Sequence, residues 1–151
     1  MKFISNDEAA ELMKSILGVG DFSVQIAGTQ KNEPVSFEDK PGYSYYSHAI
    51  KIVEALGSFD WCLLWVTSSG VWPSNENLHL YYRIRQSYGS HTHLDQQPAL
   101  VALKHEKEDL ITFVHLGMLF GWDMQLITSH DYGRAFVSHD GFFEVSTVAT
   151  T

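Results

Sequence analysis

A single cysteine occurs in the 151 residues, so no intrachain disulfide can form. Cys62 stands in the apolar run Trp61-Cys62-Leu63-Leu64-Trp65, where a small buried hydrophobe is expected. Bases are scarce: 10 Lys and Arg against 18 Asp and Glu leave a formal charge of −8. A field of that sign argues against general nucleic-acid binding, which rests on Lys and Arg neutralising phosphates. It disfavours anionic membranes and suits attraction to a basic partner. No apolar run approaches transmembrane length. Met1 to Glu8 lack the apolar stretch of a signal peptide, so the expected address is cytoplasmic. Low-complexity tracts, linkers and internal repeats are absent as well. What remains is 44% apolar and 19% charged, a globular balance, over a length that suits one domain, residues 1–151.

The fold class read from the pattern is α+β, with about four helices on a mixed or antiparallel sheet that ends in a C-terminal β-meander. Ser5-Asn6-Asp7-Glu8 fits a capping box for a first helix, with Leu12, Met13, Ile16 and Leu17 as its apolar stripe. Phe22 to Ala27 reads as a strand and Gly28 to Gly42 as a long polar loop. A second helix is expected over about Tyr43 to Leu56, with Tyr46, Ala49, Ile50 and Val53 inward. Phe59 to Thr67 is apolar on both faces, so it should be a central strand covered on both sides. A third helix follows over about Asn75 to Tyr88, with Leu80, Tyr81, Ile84 and Tyr88 on one face. Ala99 to Leu103 reads as a strand, and Glu106 to Phe120 as a helix burying Leu110, Phe113, Val114 and Gly117. The meander takes Trp122 to Thr128, Arg134 to His139 and Phe142 to Val148. Asp140-Gly141 predicts a two-residue type I′ hairpin, with Phe136 facing Val145 and Ser138 facing Phe143.

The chemistry-bearing motifs are incomplete. His91, His93 and Asp95 could begin a metal site through two imidazoles and a carboxylate, but Gln96 stands where a further ligand is often found. His105-Glu106-Lys107-Glu108-Asp109 lacks the second histidine of the zinc-protease helix; its acids suit the first turn of a helix instead. Ser129-His130-Asp131 and Ser138-His139-Asp140 repeat one tripeptide. Triad members meet in space, so adjacency carries no weight, and no G-x-S-x-G elbow supplies a nucleophile. Turn chemistry explains both copies. Arg83 and Arg85 splay apart on a helix and form no phosphate clamp. No dinucleotide or Walker fingerprint occurs. Trp72, before Pro73 in a chain break, is the tryptophan expected to be partly exposed.

The pattern Gly121-Trp122-Asp123, then Ala135-Phe136-Val137-Ser138-His139-Asp140-Gly141-Phe142-Phe143-Glu144, together with size and acidity, resembles small acidic bacterial immunity proteins. The resemblance implies a cognate protein toxin as partner, neutralised by stoichiometric blockade, with no catalytic residues, cofactor or metal of its own. An acidic surface suits the basic, substrate-binding cleft of such a toxin. The candidate contacts are acids in irregular segments: Glu33, Glu38 and Asp39 in the long loop, Asp131 and Asp140 at the turns, with Trp72 as an aromatic anchor. Two other readings stand beside it. One is a small metal-dependent hydrolase using His91, His93 and Asp95, joined by His130 or His139. The other is a non-catalytic structural or regulatory module.

Overall fold

The strand β4 (Trp61–Ser68) organises the molecule, because it is apolar on both faces and needs cover on both. A computed structural model of the chain describes residues 1–17, 29–31, 33–38, 40–70, 77–129 and 133–148. Around β4 lie β1 (Lys2–Ile4), β2 (Thr29–Lys31), β3 (Val35–Ser36), β5 (Ala99–Leu103), β6 (Asp123–Thr128), β7 (Arg134–Ser138) and β8 (Phe142–Val148). They form one sheet in the order β1-β5-β4-β6-β7-β8-β2, with β3 also paired to β8. Every pairing is antiparallel. The helices are α1 (Asn6–Leu17), α2 (Tyr45–Ala55), α3 (Leu78–Ser87) and α4 (Lys107–Leu119). This is the expected α+β architecture, with the C-terminal strands as a meander. Among the described residues no helix is long and apolar enough to cross a membrane.

The pleat sends alternate residues of β4 to opposite sides. Cys62, Leu64 and Val66 join the main core with Ala49, Ile52 and Val53 of α2 and Leu110, Phe113 and Val114 of α4. Leu63 joins a smaller cluster on the other face with Ile4, Ala99, Ile127 and Ala9 of α1. The capping box forms as expected: Ser5 N–H donates to Glu8 Oε2 at 2.8 Å, and Glu8 N–H donates to Ser5 Oγ at 3.2 Å. Trp65 Nε1 donates to Asn6 Oδ1 at 2.8 Å and ties the start of α1 to the sheet. On the main-core face, a Cβ at Gly117 would lie 2.1 Å from Met124 Sδ, so the missing side chain lets α4 settle close on β6.

Several expectations need correction. The loop expected over Gly28 to Gly42 holds β2 and β3, two short stretches that edge β8. The first strand, β1, pairs with β5 and has no alternation long enough to be read from three residues. Helix α2 begins at Tyr45, after a 3-10 turn at Gly42–Ser44, and buries Ala49, Ile52 and Val53 rather than Tyr46. Helix α3 begins at Leu78; its buried residues are Tyr81 and Arg85, while Leu80 is exposed. The expected strand over Phe22 to Ala27 lies outside the described residues.

The hairpin register is also one residue off the expectation. Ser138 pairs with Phe142, Val137 with Phe143, Phe136 with Glu144 and Ala135 with Val145. Among the described residues only glycines and Asn77 have positive φ, so Asp140 cannot serve a type I′ turn. His139-Asp140-Gly141 is instead a three-residue loop. Gly141 takes φ +81°, and its N–H donates to Ser138 O at 3.1 Å. The one-residue change leaves Phe143 and Val145 on the core face, brings Ala135 and Val137 there with them, and moves Phe136 to the other face opposite Glu144.

Candidate functional site

The hairpin loop positions the acids singled out in the sequence. Phe37 N–H donates to Gly141 O at 2.7 Å, which docks the chain after β3 onto the turn. A Cβ at Gly141 would stand 2.6 Å from Glu38 Cβ and 2.7 Å from Glu38 Cα. Glu38 therefore lies directly on the turn that carries Asp140. Two acids more than 100 residues apart in sequence share one corner, and both are exposed. Glu33, also exposed, stands just before β3 on the same edge. Asp39, Trp72 and Asp131 lie outside the described residues.

Beside this corner the chain folds back through two turns. Lys40 N–H donates to Phe37 O at 3.0 Å and Ser44 N–H to Pro41 O at 2.8 Å. Phe37 anchors them from below, buried against Tyr45 and Phe143 with ring centroids 5.1 and 6.4 Å away. The turns lead into apolar side chains that face water. Tyr43 is 86% exposed, Tyr46 46% and Leu119 48%. The Tyr46 ring lies 5.5 Å from that of His115, and a Cβ at Gly42 would be in ordinary contact with Leu119 Cδ2. The start of α2 and the end of α4 thus present an aromatic-aliphatic patch next to the acidic corner. Sequence reading assigned Tyr46 to the core and overlooked Tyr43 and Leu119. The usable signal for Tyr43 was its place after Pro41-Gly42, in a break rather than within a periodic run.

The histidines divide by environment. His139 sits between two carboxylates, with Nδ1 2.8 Å from Asp123 Oδ1 and Nε2 3.3 Å from Asp140 Oδ1. The hydrogen bond to Asp123 holds its pKa above the ordinary histidine value, with both carboxylate charges adding to it. Asp123 Oδ1 also accepts the His139 backbone N–H at 2.7 Å, so the ring is fixed in place. His48 and His115 shift the other way. Burial lowers both, and the charges of Lys51 and Lys40 lower His48 further. His48 Nδ1 is buried without a hydrogen-bond partner, which suits a neutral ring packed beside Phe37 and Phe143.

His91, His93 and Asp95 are exposed on the loop between α3 and β5. The His93 carbonyl accepts from the N–H groups of Gln96 and Gln97, both at 3.1 Å, and its ring packs 5.2 Å from that of Tyr82. Among the described residues no three His, Cys, Asp or Glu side chains are grouped to hold a metal ion; His130 lies outside them. Glu106 Oε2 accepts from Leu103 N–H at 2.9 Å, and Glu106 Oε1 pairs with the Met1 amine. Glu108 and Asp109 occupy the first turn of α4, as their helix-opening position predicts. Ser138-His139-Asp140 is turn chemistry, with Asp140 N–H donating to Ser138 Oγ at 3.1 Å.

Arg85 is the residue that sequence reading undervalued most. It is fully buried, and its guanidinium carbon lies 4.3 Å above the Phe3 ring centroid. Nη1 donates to Gln97 O at 3.0 Å and Tyr81 Oη at 3.4 Å; Nη2 donates to Thr92 Oγ1 at 3.1 Å and Ser90 Oγ at 3.3 Å. The signal was present: Arg85 falls four residues after Tyr81 and three before Tyr88, on the inward stripe of α3. Comparison of the chain with protein-family models, with curated proteins and with solved structures finds no match.

Proposed function

We propose that the protein is a non-catalytic binding protein of the immunity type, which neutralises a basic protein toxin by stoichiometric blockade. The observation that carries this reading is the docking of Glu38 on Gly141. It brings exposed Glu38 against the turn that carries exposed Asp140, a few residues along the chain from exposed Tyr43 and Tyr46. Binding surfaces draw most of their affinity from a few aromatic anchors, and tyrosine is among the residues enriched there. Charges around such anchors raise the encounter rate with a partner of opposite sign. A net charge of −8 extends the same attraction over the whole molecule. The toxin's basic cleft would take the acidic corner, and its rim would cover the tyrosines and Leu119.

The test uses the purified chain and any basic toxin encoded beside its gene. A 1:1 complex that abolishes toxin activity supports the reading. Tyr43→Ala with Tyr46→Ala should then weaken the complex at least tenfold, since each anchor is worth ~1 kcal/mol or more when truncated. No complex by calorimetry, together with no protection of cells expressing the toxin, would overturn it.

A further inference from the structure

We infer that the cleft in front of Arg85 binds the oxyanion of a small molecule, a carboxylate or a phosphate group. The cleft measures about 270 Å³, and its walls include Lys2, Tyr88, Ser90, His91, Thr92 and Gln97. None of the residues lining it is acidic.

The charge behind the wall is the first argument. A guanidinium removed from water is ordinarily matched by a carboxylate, because desolvation costs several kcal/mol per ion. Arg85 has no such match among the described residues. All four of its hydrogen-bond acceptors are neutral oxygens, and Nε has no partner. The ring faces of Phe3 and Tyr81 offset part of the charge. The remainder is an uncompensated positive potential directly behind Ser90, Thr92 and Gln97.

The second argument is the direction of the donors. Arg85 Nη2 occupies a lone pair on both Ser90 Oγ and Thr92 Oγ1, so both hydroxyls must aim their hydrogens elsewhere. The Thr92 hydrogen goes to Gln97 Oε1 at 2.6 Å. That bond uses the Gln97 oxygen and leaves its two amide hydrogens available. The Ser90 hydrogen can reach Thr92 Oγ1 at 3.0 Å or turn to a ligand. Lys2 and His91 are exposed at the rim, and Lys2, though it also faces Glu8, adds a cationic donor there. Two nearby acids are engaged with cations: Glu8 Oε1 lies 3.7 Å from the Lys2 amine, and Glu106 holds the Met1 amine. Burial, then the neighbouring Asp109, pushes Tyr88 up to about 12, so it stays protonated and neutral. An oxyanion facing Ser90, Gln97 and Lys2 therefore meets donors, with Arg85 behind them. The volume suits a small ligand rather than a polymer.

The experiment is a titration of the isotope-labelled protein with inorganic phosphate, acetate and, as the ionic-strength control, chloride. Amide signals of Ser90, Thr92 and Gln97 and the Arg85 Nε–H are followed by NMR. Saturable shifts confined to these groups, with a midpoint below about 10 mM for phosphate or acetate and none for chloride, are expected. A lower midpoint for phosphate identifies a phosphate ester as ligand class; a lower one for acetate identifies a carboxylate. Substituting Arg85 perturbs fold and site together, so the deciding variant is Lys2→Gln with Ser90→Ala, which keeps Arg85 and its bonds to Tyr81, Gln97 and Thr92. It should raise the midpoint at least fivefold. Linear shifts equal to those with chloride, or a midpoint unmoved in the double variant, would overturn the inference.

Discussion

His139 and Arg85 show how far a side chain's behaviour departs from its residue type. His139 gains a proton-stabilising partner in Asp123, so its pKa is higher in the folded chain than in the unfolded one. The linkage has a definite sign. His139 contributes stability that is fully present below the ordinary histidine value near 6.5 and is lost as pH rises through its raised folded value. His48 and His115 act oppositely: their lowered values leave stability in place above about 6.5 and remove it as pH falls through the folded values. An imidazole titration by NMR should therefore place His139 above 6.5 and His48 and His115 below it. Asp123→Asn should bring His139 down while leaving the other two where they are; an unmoved His139 would show that Asp123 is not its partner. Arg85→Ala should cost ~2–4 kcal/mol in urea unfolding, because it opens a cavity under Phe3 and leaves the Gln97 carbonyl without its donor. A cost under about 1 kcal/mol would mean that the loop over 90–97 holds itself.

Among the elements, those with long periodic signals were legible and those set by partners were not. Six of the eight residues of β4, Trp61 to Val66, alternate two apolar sets, and that alone specified a central strand covered on both sides. Helix α4 was readable from Leu110, Phe113, Val114 and Gly117, all buried as the 3.6-residue period requires. By contrast, β1 and β3 exist because β5 and β8 offer them unpaired edges, which no local pattern of two or three residues encodes. The Asp140-Gly141 hairpin was found but placed one residue out. Its sequence does not say whether one or two loop residues take positive φ. The acids of the candidate surface were legible one by one, but their meeting was not, because the contact between Glu38 and Gly141 is tertiary. Gly141→Ala tests that contact. The new Cβ meets both the strain of φ +81° and the backbone of Glu38. A loss of ~1–3 kcal/mol is expected, with amide shifts spreading from Asp140 to Phe37 and Glu38. Shifts confined to residues 138–143 would show that the segment after β3 is not docked on the turn.

Over the whole molecule, charge poses a sharper question than composition alone can answer. A total of −8 raises the encounter rate with any basic partner, whereas a docking corner raises it more through some acids than others. Glu38 and Glu11 separate the two effects. Both are exposed; Glu38 lies at the corner with Asp140, and Glu11 lies on α1, which covers the opposite face of the sheet from α2 and α4. Glu38→Lys and Glu11→Lys change the net charge by the same amount. If the proposed toxin complex uses the corner, Glu38→Lys should slow association by about tenfold at low salt and Glu11→Lys by less than about twofold. The difference should shrink as ionic strength approaches 0.15 M, where charges more than about 8 Å apart are largely screened. Stopped-flow association rates at two salt concentrations measure this directly. Equal slowing by both substitutions would assign the attraction to net charge and remove the corner from the interface. Slowing by Glu38→Lys alone, enhanced when Asp140→Lys is added, would locate the encounter where β3 meets the hairpin.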